Sequence, residues 1–184
     1  MRGILNDMGK RVGLILSIVA VVAMCGFIFY MSAFPADEST ELSMGVVWHI
    51  IGFVVPGYDQ MSLAEQLYWQ EALDHPVRKT AHFLEYAVLG ALMLNMLWQI
   101  AKARRTSSGG EDTKTSPLPR IRNLAIGAWA LATAYAATDE VHQIFVPGRA
   151  GMVTDVLLDS AGVLAGVAIV ALVLRHNVPK EASY

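Results

Sequence analysis

Residues 12–31 read VGLILSIVAVVAMCGFIFYM, a run without one charged side chain. A helix needs about 20 apolar residues to cross roughly 30 Å of hydrocarbon at about 1.5 Å per residue, so this stretch spans a bilayer by itself. It exceeds the apolar centre of a cleavable signal, and Met31-Ser32-Ala33 lacks the small residue that a signal-peptidase site carries at its first position. The run is therefore read as a retained anchor.

Outward from it lie three more apolar stretches, at residues 79–100, 121–145 and 152–174. A hydrophobic content of 54% and a mean hydropathy of +0.43 exceed the usual range of soluble domains. The net charge of −2 leaves no basic footprint for nucleic acid. The single cysteine, Cys25, lies inside the first run, so no internal disulfide forms. The expected fold is all-α: a polytopic membrane helical bundle of four transmembrane helices, with a partly helical extracytoplasmic segment between the first and second.

Lysines and arginines mark cytoplasmic loops. Residues 1–11 contain Arg2, Lys10 and Arg11, and residues 101–120 contain Lys102, Arg104, Arg105, Lys114 and Arg120, so both are expected inside, as is the tail at 175–184. Residues 32–78 carry acids from Asp37 to Asp74 and only Arg78 as a base, so they, and the turn at 146–151, are expected outside. Both termini are then cytoplasmic. Residues 107–119 are rich in Ser, Gly, Thr and Pro and read as a flexible link. Pro76 suits the first turn of the second span. Ser62-Leu63-Ala64-Glu65 has capping-box spacing for a separate short helix, and residues 46–55 are too short to span and are placed at or dipping from the interface. Val146-Pro147-Gly148-Arg149 suits a type II turn.

Ionisable groups at membrane depth cost at least about 2.5 kcal/mol each and normally face a protein interior or an aqueous cavity. Here Arg78, Lys79, His82 and Glu85 open the second span, Asp139, Glu140, His142 and Gln143 close the third, Arg149 lies in the turn, and Asp155 and Asp159 open the fourth. All fall at one level, on the outward side. Asp155, Asp159, Gly162 and Gly166 share one stripe of a helix, and Asp139, His142 and Gln143 share a face with Ala132, Tyr135 and Ala136. One account is a structural ion-pair network that fixes helix packing; the other is a ligand or reaction site. The glycine pair serves either internal packing or a homo-oligomer.

The sequence His82-Phe83-x-Glu85-Tyr86 after Arg78-Lys79, and Asp139-Glu140-x-His142-Gln143-x-Phe145-x-Pro147-Gly148-Arg149 followed by Asp155 and Gly162, resembles the two signature motifs of the VanZ-like family. Ser32 and Pro35 after the first span are similar to that family's post-span segment. Thr138 stands where Ser is common, and Asp159 where Asn is as frequent. The resemblance implies a bacterial plasma-membrane protein connected with teicoplanin resistance, and it singles out Lys79, His82, Glu85, Asp139, Glu140, His142, Gln143, Arg149 and Asp155 as site residues.

The leading functional expectation is a protein that binds a membrane lipid head group or a lipid-linked cell-wall intermediate, through Lys79, His82, Glu85, Glu140, His142, Gln143, Arg149 and Asp155. The second is an acid–base enzyme on such a head group, drawing on His82, Glu85, Asp139, Glu140 and His142; metal ligands at i, i+3 would suit a divalent cation, although no cofactor is required. The third is a lipid-moving transporter, for which the inner half offers only Asn95, Gln99 and Thr133. Formal charges of Arg78, Lys79 and Arg149 against Glu85, Asp139, Glu140, Asp155 and Asp159 sum to −2. That sum favours an amine-bearing ligand or a phosphate bridged by a divalent cation.

Overall fold

A computed structural model describes residues 2–107 and 120–177; the link from residue 108 and the end of the tail lie outside the described residues. Its elements are α1 (Arg2–Ser32), α2 (Ala36–Val54), a short 3-10 helix (Tyr58–Gln60), α3 (Leu63–Ser107), α4 (Ile121–Gln143) and α5 (Val153–Asn177). Among the described residues there is no strand. Three of these helices are long and apolar enough to cross a membrane: α1 over Met8–Ser32, α3 within Leu63–Arg105, and α5. The third expected span, α4, has 23 residues but is not one of the three; it carries Arg122, Asp139 and Glu140.

The main core is built where α1, α3, α4 and α5 meet. Tyr86, Leu89 and Leu94 of α3, Ala128, Ala132 and Ala136 of α4, and Val163 of α5 are all fully buried there, together with Ile28 of α1. The outward faces stay apolar, with Leu16, Val22, Leu164, Ile169 and Leu172 exposed, as suits a bundle that lipid surrounds. Small residues let the backbones approach closely. A Cβ on Gly162 would collide with the Phe83 carbonyl oxygen and one on Gly166 with that of Ala87, while Gly90 of α3 meets the Val163 carbonyl in the same way. The Gly-x-x-x-Gly pair is thus spent on the contact between α3 and α5 within the chain.

The segment before the second span differs from expectation. The capping box forms: the Ser62 N–H donates to the Glu65 carboxylate at 2.9 Å, and the Glu65 N–H reaches Ser62 Oγ at 3.4 Å. The helix it starts does not stop, however, and α3 runs unbroken through Pro76 for 45 residues, about 67 Å at the usual rise. Pro76 is therefore interior rather than in a first turn. An interior proline costs about 3 kcal/mol in an isolated helix; here tertiary packing outweighs it. Trp69, Leu73 and Val77 of α3 close over Val47 and Ile51 of α2, Val55 just beyond its end, and Tyr58, and Thr80 Oγ1 donates to the Pro76 carbonyl at 2.8 Å. The 46–55 stretch accordingly belongs to the α2 arm of an α2–α3 hairpin.

α4 and α5 are joined by the expected tight turn. Gly148 has φ +74°, and the Arg149 N–H donates to the Val146 carbonyl at 3.1 Å, so glycine fills the left-handed position that a type II turn requires. Glu140 then accepts a hydrogen bond from the Met152 N–H at 2.8 Å, placing a carboxylate at the positive end of α5.

Candidate functional site

The polar residues do gather at one end of the bundle, but they divide into two groups with different tasks. The first is a buried clasp centred on Asp139, which is 3% exposed. Its Oδ2 accepts from Ser32 Oγ at 2.7 Å, from the Tyr86 hydroxyl at 3.2 Å and from Gln143 Nε2 at 3.2 Å. One carboxylate oxygen thereby ties the end of α1, the middle of α3 and the last turn of α4. Tyr135 adds a second tie from α4 to α1, donating to the Cys25 carbonyl at 2.6 Å. Asp159 is 2% exposed on α5, and its Oδ1, like Asp139 Oδ1, has no hydrogen-bond partner among the described residues. His142 is half-buried and its ring lies 4.4 Å from that of Phe29.

Two ion pairs flank the clasp. Lys79 is paired with Asp155, joining α3 to α5. Arg78 is bonded to Asp74 at 3.0 Å, one helical turn back along α3. Asp74 had no place among the sequence candidates, although its i, i+4 spacing to Arg78 was the available signal.

The second group lines a cavity of about 510 Å³. Its walls are mainly apolar: Met31 from the end of α1, Val46 and Ile50 from α2, and Val77, Ala81 and Leu84 from α3. The polar lining consists of Arg78, Thr80, His82, Glu85 and Arg149. His82 Nδ1 and Glu85 Oε2 stand 3.9 Å apart, too far for a hydrogen bond. Arg149 donates to the Met31 carbonyl at 3.4 Å, while its Nε is buried without a partner among the described residues. Burial pulls the Arg149 guanidinium below its ordinary pKa, and Arg78 acts in the same sense, while Asp139, Glu140 and Glu85 oppose it.

Of the expected site residues, His82, Glu85 and Arg149 therefore meet at the cavity. Lys79 and Asp155 are occupied with each other, and Asp139, Glu140 and Gln143 are buried with internal hydrogen-bond partners. No group of three or more His, Cys, Asp and Glu side chains is placed to hold a metal ion among the described residues. The apolar wall from α2 went unrecognised in the sequence, because it depends on how the hairpin folds back over α3.

Apolar helices that can cross a membrane, with an amphipathic cavity at one end of their bundle, define a helical membrane protein. The VanZ/LLP1 family matches residues 17–174, most of the chain, and the chain belongs to that family. No curated protein and no solved structure matches it.

Proposed function

We propose that this chain is a bacterial plasma-membrane protein that receives the polar head of a lipid, or of a lipid-linked cell-wall intermediate, from the outer leaflet, and so changes susceptibility to teicoplanin. In this reading α1, the inner part of α3, α4 and α5 cross the membrane, with both termini cytoplasmic. α4 is long enough, since 23 residues extend about 34 Å against roughly 30 Å of hydrocarbon. The observation that carries the proposal is the cavity. A space of about 510 Å³ with apolar walls and His82, Glu85, Arg78 and Arg149 in its lining has the division of character of an amphiphile.

Expression in a teicoplanin-susceptible bacterium tests it. Wild type should raise the inhibitory concentration, and His82→Ala and Glu85→Gln should abolish that gain while the proteins accumulate normally. Full activity in both variants would contradict the proposal.

Because His82 and Glu85 share the cavity lining, one second reading has a reacting head group enter and His82 act as general base, with Glu85 drawing in from 3.9 Å to orient its ring. Incubation of the purified protein with membrane lipids and analysis of the products separates the two, since binding alone leaves the lipids unchanged. Transport is less well supported. Thr133, one of few polar groups in the inner half, is hydrogen-bonded to Ser160 at 3.1 Å between α4 and α5.

A further inference from the structure

The charges around the cavity are not equally available to a ligand. Lys79 is held by Asp155 and Arg78 by Asp74. Asp139 accepts three hydrogen bonds in the clasp, and Glu140 caps α5. Two lining groups of opposite sign remain without a direct ion pair to each other. Arg149 makes no ion pair among the described residues, and His82, at 3.9 Å, is the one basic group within 4 Å of the Glu85 carboxylate among them. The −2 sum over the whole cluster is therefore a poor guide to what the cavity offers, which is one guanidinium and one carboxylate that no salt bridge occupies, in a mainly apolar lining.

We propose that the cavity selects amphiphiles whose head carries a phosphate and a primary ammonium together, the phosphate against Arg149 and the ammonium against Glu85. This rests on the reading of the cavity as a head-group site. A guanidinium fork matches phosphate oxygens. A carboxylate with unspent acceptor capacity is matched by an ammonium that has N–H groups to give. A purely anionic head satisfies Arg149 but meets repulsion from Glu85. A quaternary ammonium supplies charge without donors. The apolar part of the ligand has a path out along α3, where Leu84 and, one turn on, Val88 are exposed on the bundle surface at 57% and 48%. Two sources share this chemistry: an ethanolamine phospholipid, and an isoprenyl pyrophosphate that bears an amine.

Native mass spectrometry of the full chain, offered equal amounts of matched phosphatidylethanolamine, phosphatidylglycerol and phosphatidylcholine, reads the selectivity. Wild type should retain phosphatidylethanolamine roughly tenfold over each of the others, the scale on which a charge-assisted hydrogen bond discriminates. Glu85→Gln should erase the preference over phosphatidylglycerol while lipid is still retained. Arg149→Gln should lose phosphatidylethanolamine and phosphatidylglycerol alike, and Arg149→Lys, which keeps a cation beside the Met31 carbonyl, should recover part of the binding; melting curves identify any variant that is unfolded. In a second arm, long-chain isoprenyl pyrophosphates with and without a primary amine are added. Stronger retention of the amine-bearing form than of phosphatidylethanolamine supports the same chemistry and assigns it to a lipid-linked intermediate. Preference for phosphatidylglycerol or the amine-free pyrophosphate, equal retention of phosphatidylcholine, or an unchanged ratio in Glu85→Gln would overturn the proposal. Retention without discrimination leaves the head-group reading standing, whereas a wild type that retains no lipid at all removes that reading as well.

Discussion

Asp139 and Glu85 are both acids at the same end of the bundle, yet they are set to different work. Asp139 supplies the acceptor for Ser32, Tyr86 and Gln143, and a buried donor left without its acceptor costs about 1–3 kcal/mol. Asp139→Ala orphans three at once, so the variant should melt far below wild type in detergent or fail to accumulate. Glu85→Gln, at the cavity wall, should melt within a few degrees of wild type. Equal melting of the two would contradict the division into clasp and cavity. Helical spacing already placed Asp139 and Gln143 with Ala132 and Ala136, and these four are buried together. The spacing could not tell which acids close the interior and which face the cavity, because that depends on how each helix is rotated against its neighbours. Ser32 was noticed only through its resemblance to a family segment, and its role as a donor across 107 residues of sequence leaves no local trace.

The rotation of α3 against α5 is fixed by glycine. Gly162 and Gly166 face the Phe83 and Ala87 carbonyl oxygens so closely that a Cβ has no room. Overpacking a fitted contact typically costs about 1–3 kcal/mol, and here the obstacle is backbone that cannot rotate aside. Gly166→Leu should therefore lower the melting temperature and, by parting the helices, weaken the Lys79–Asp155 pair beyond it. A Gly166→Leu protein that melts like wild type would show that the contact is not as tight as described. The glycine pair was legible as a packing surface, but its partner was not, since a second copy of the chain would leave the same pattern. The α2–α3 hairpin was legible only in part. Its capping box was visible at Ser62 and Glu65, while Pro76 suggested a helix start; the apolar contacts of Trp69, Leu73 and Val77 with α2 come from residues far apart in sequence and outweigh that local signal.

At the scale of the molecule, the membrane-crossing helices put the cavity beside the outer leaflet only if the charge distribution orients the chain as proposed. In a Cys25→Ser background, Asp59→Cys should label with an impermeant thiol reagent from outside the cell and Arg105→Cys only after the membrane is opened. The reverse pattern would place the cavity on the cytoplasmic side and remove the connection to an extracellular antibiotic. The central claim, that the cavity holds a lipid head group, is met most directly by a density map of the protein purified from its membrane, enlarged with a rigid antibody fragment and kept in native lipid. The account predicts a continuous feature with its head among His82, Glu85 and Arg149 and its tail running down α3 past Leu84. A cavity containing only water, with no density along Leu84, would contradict it.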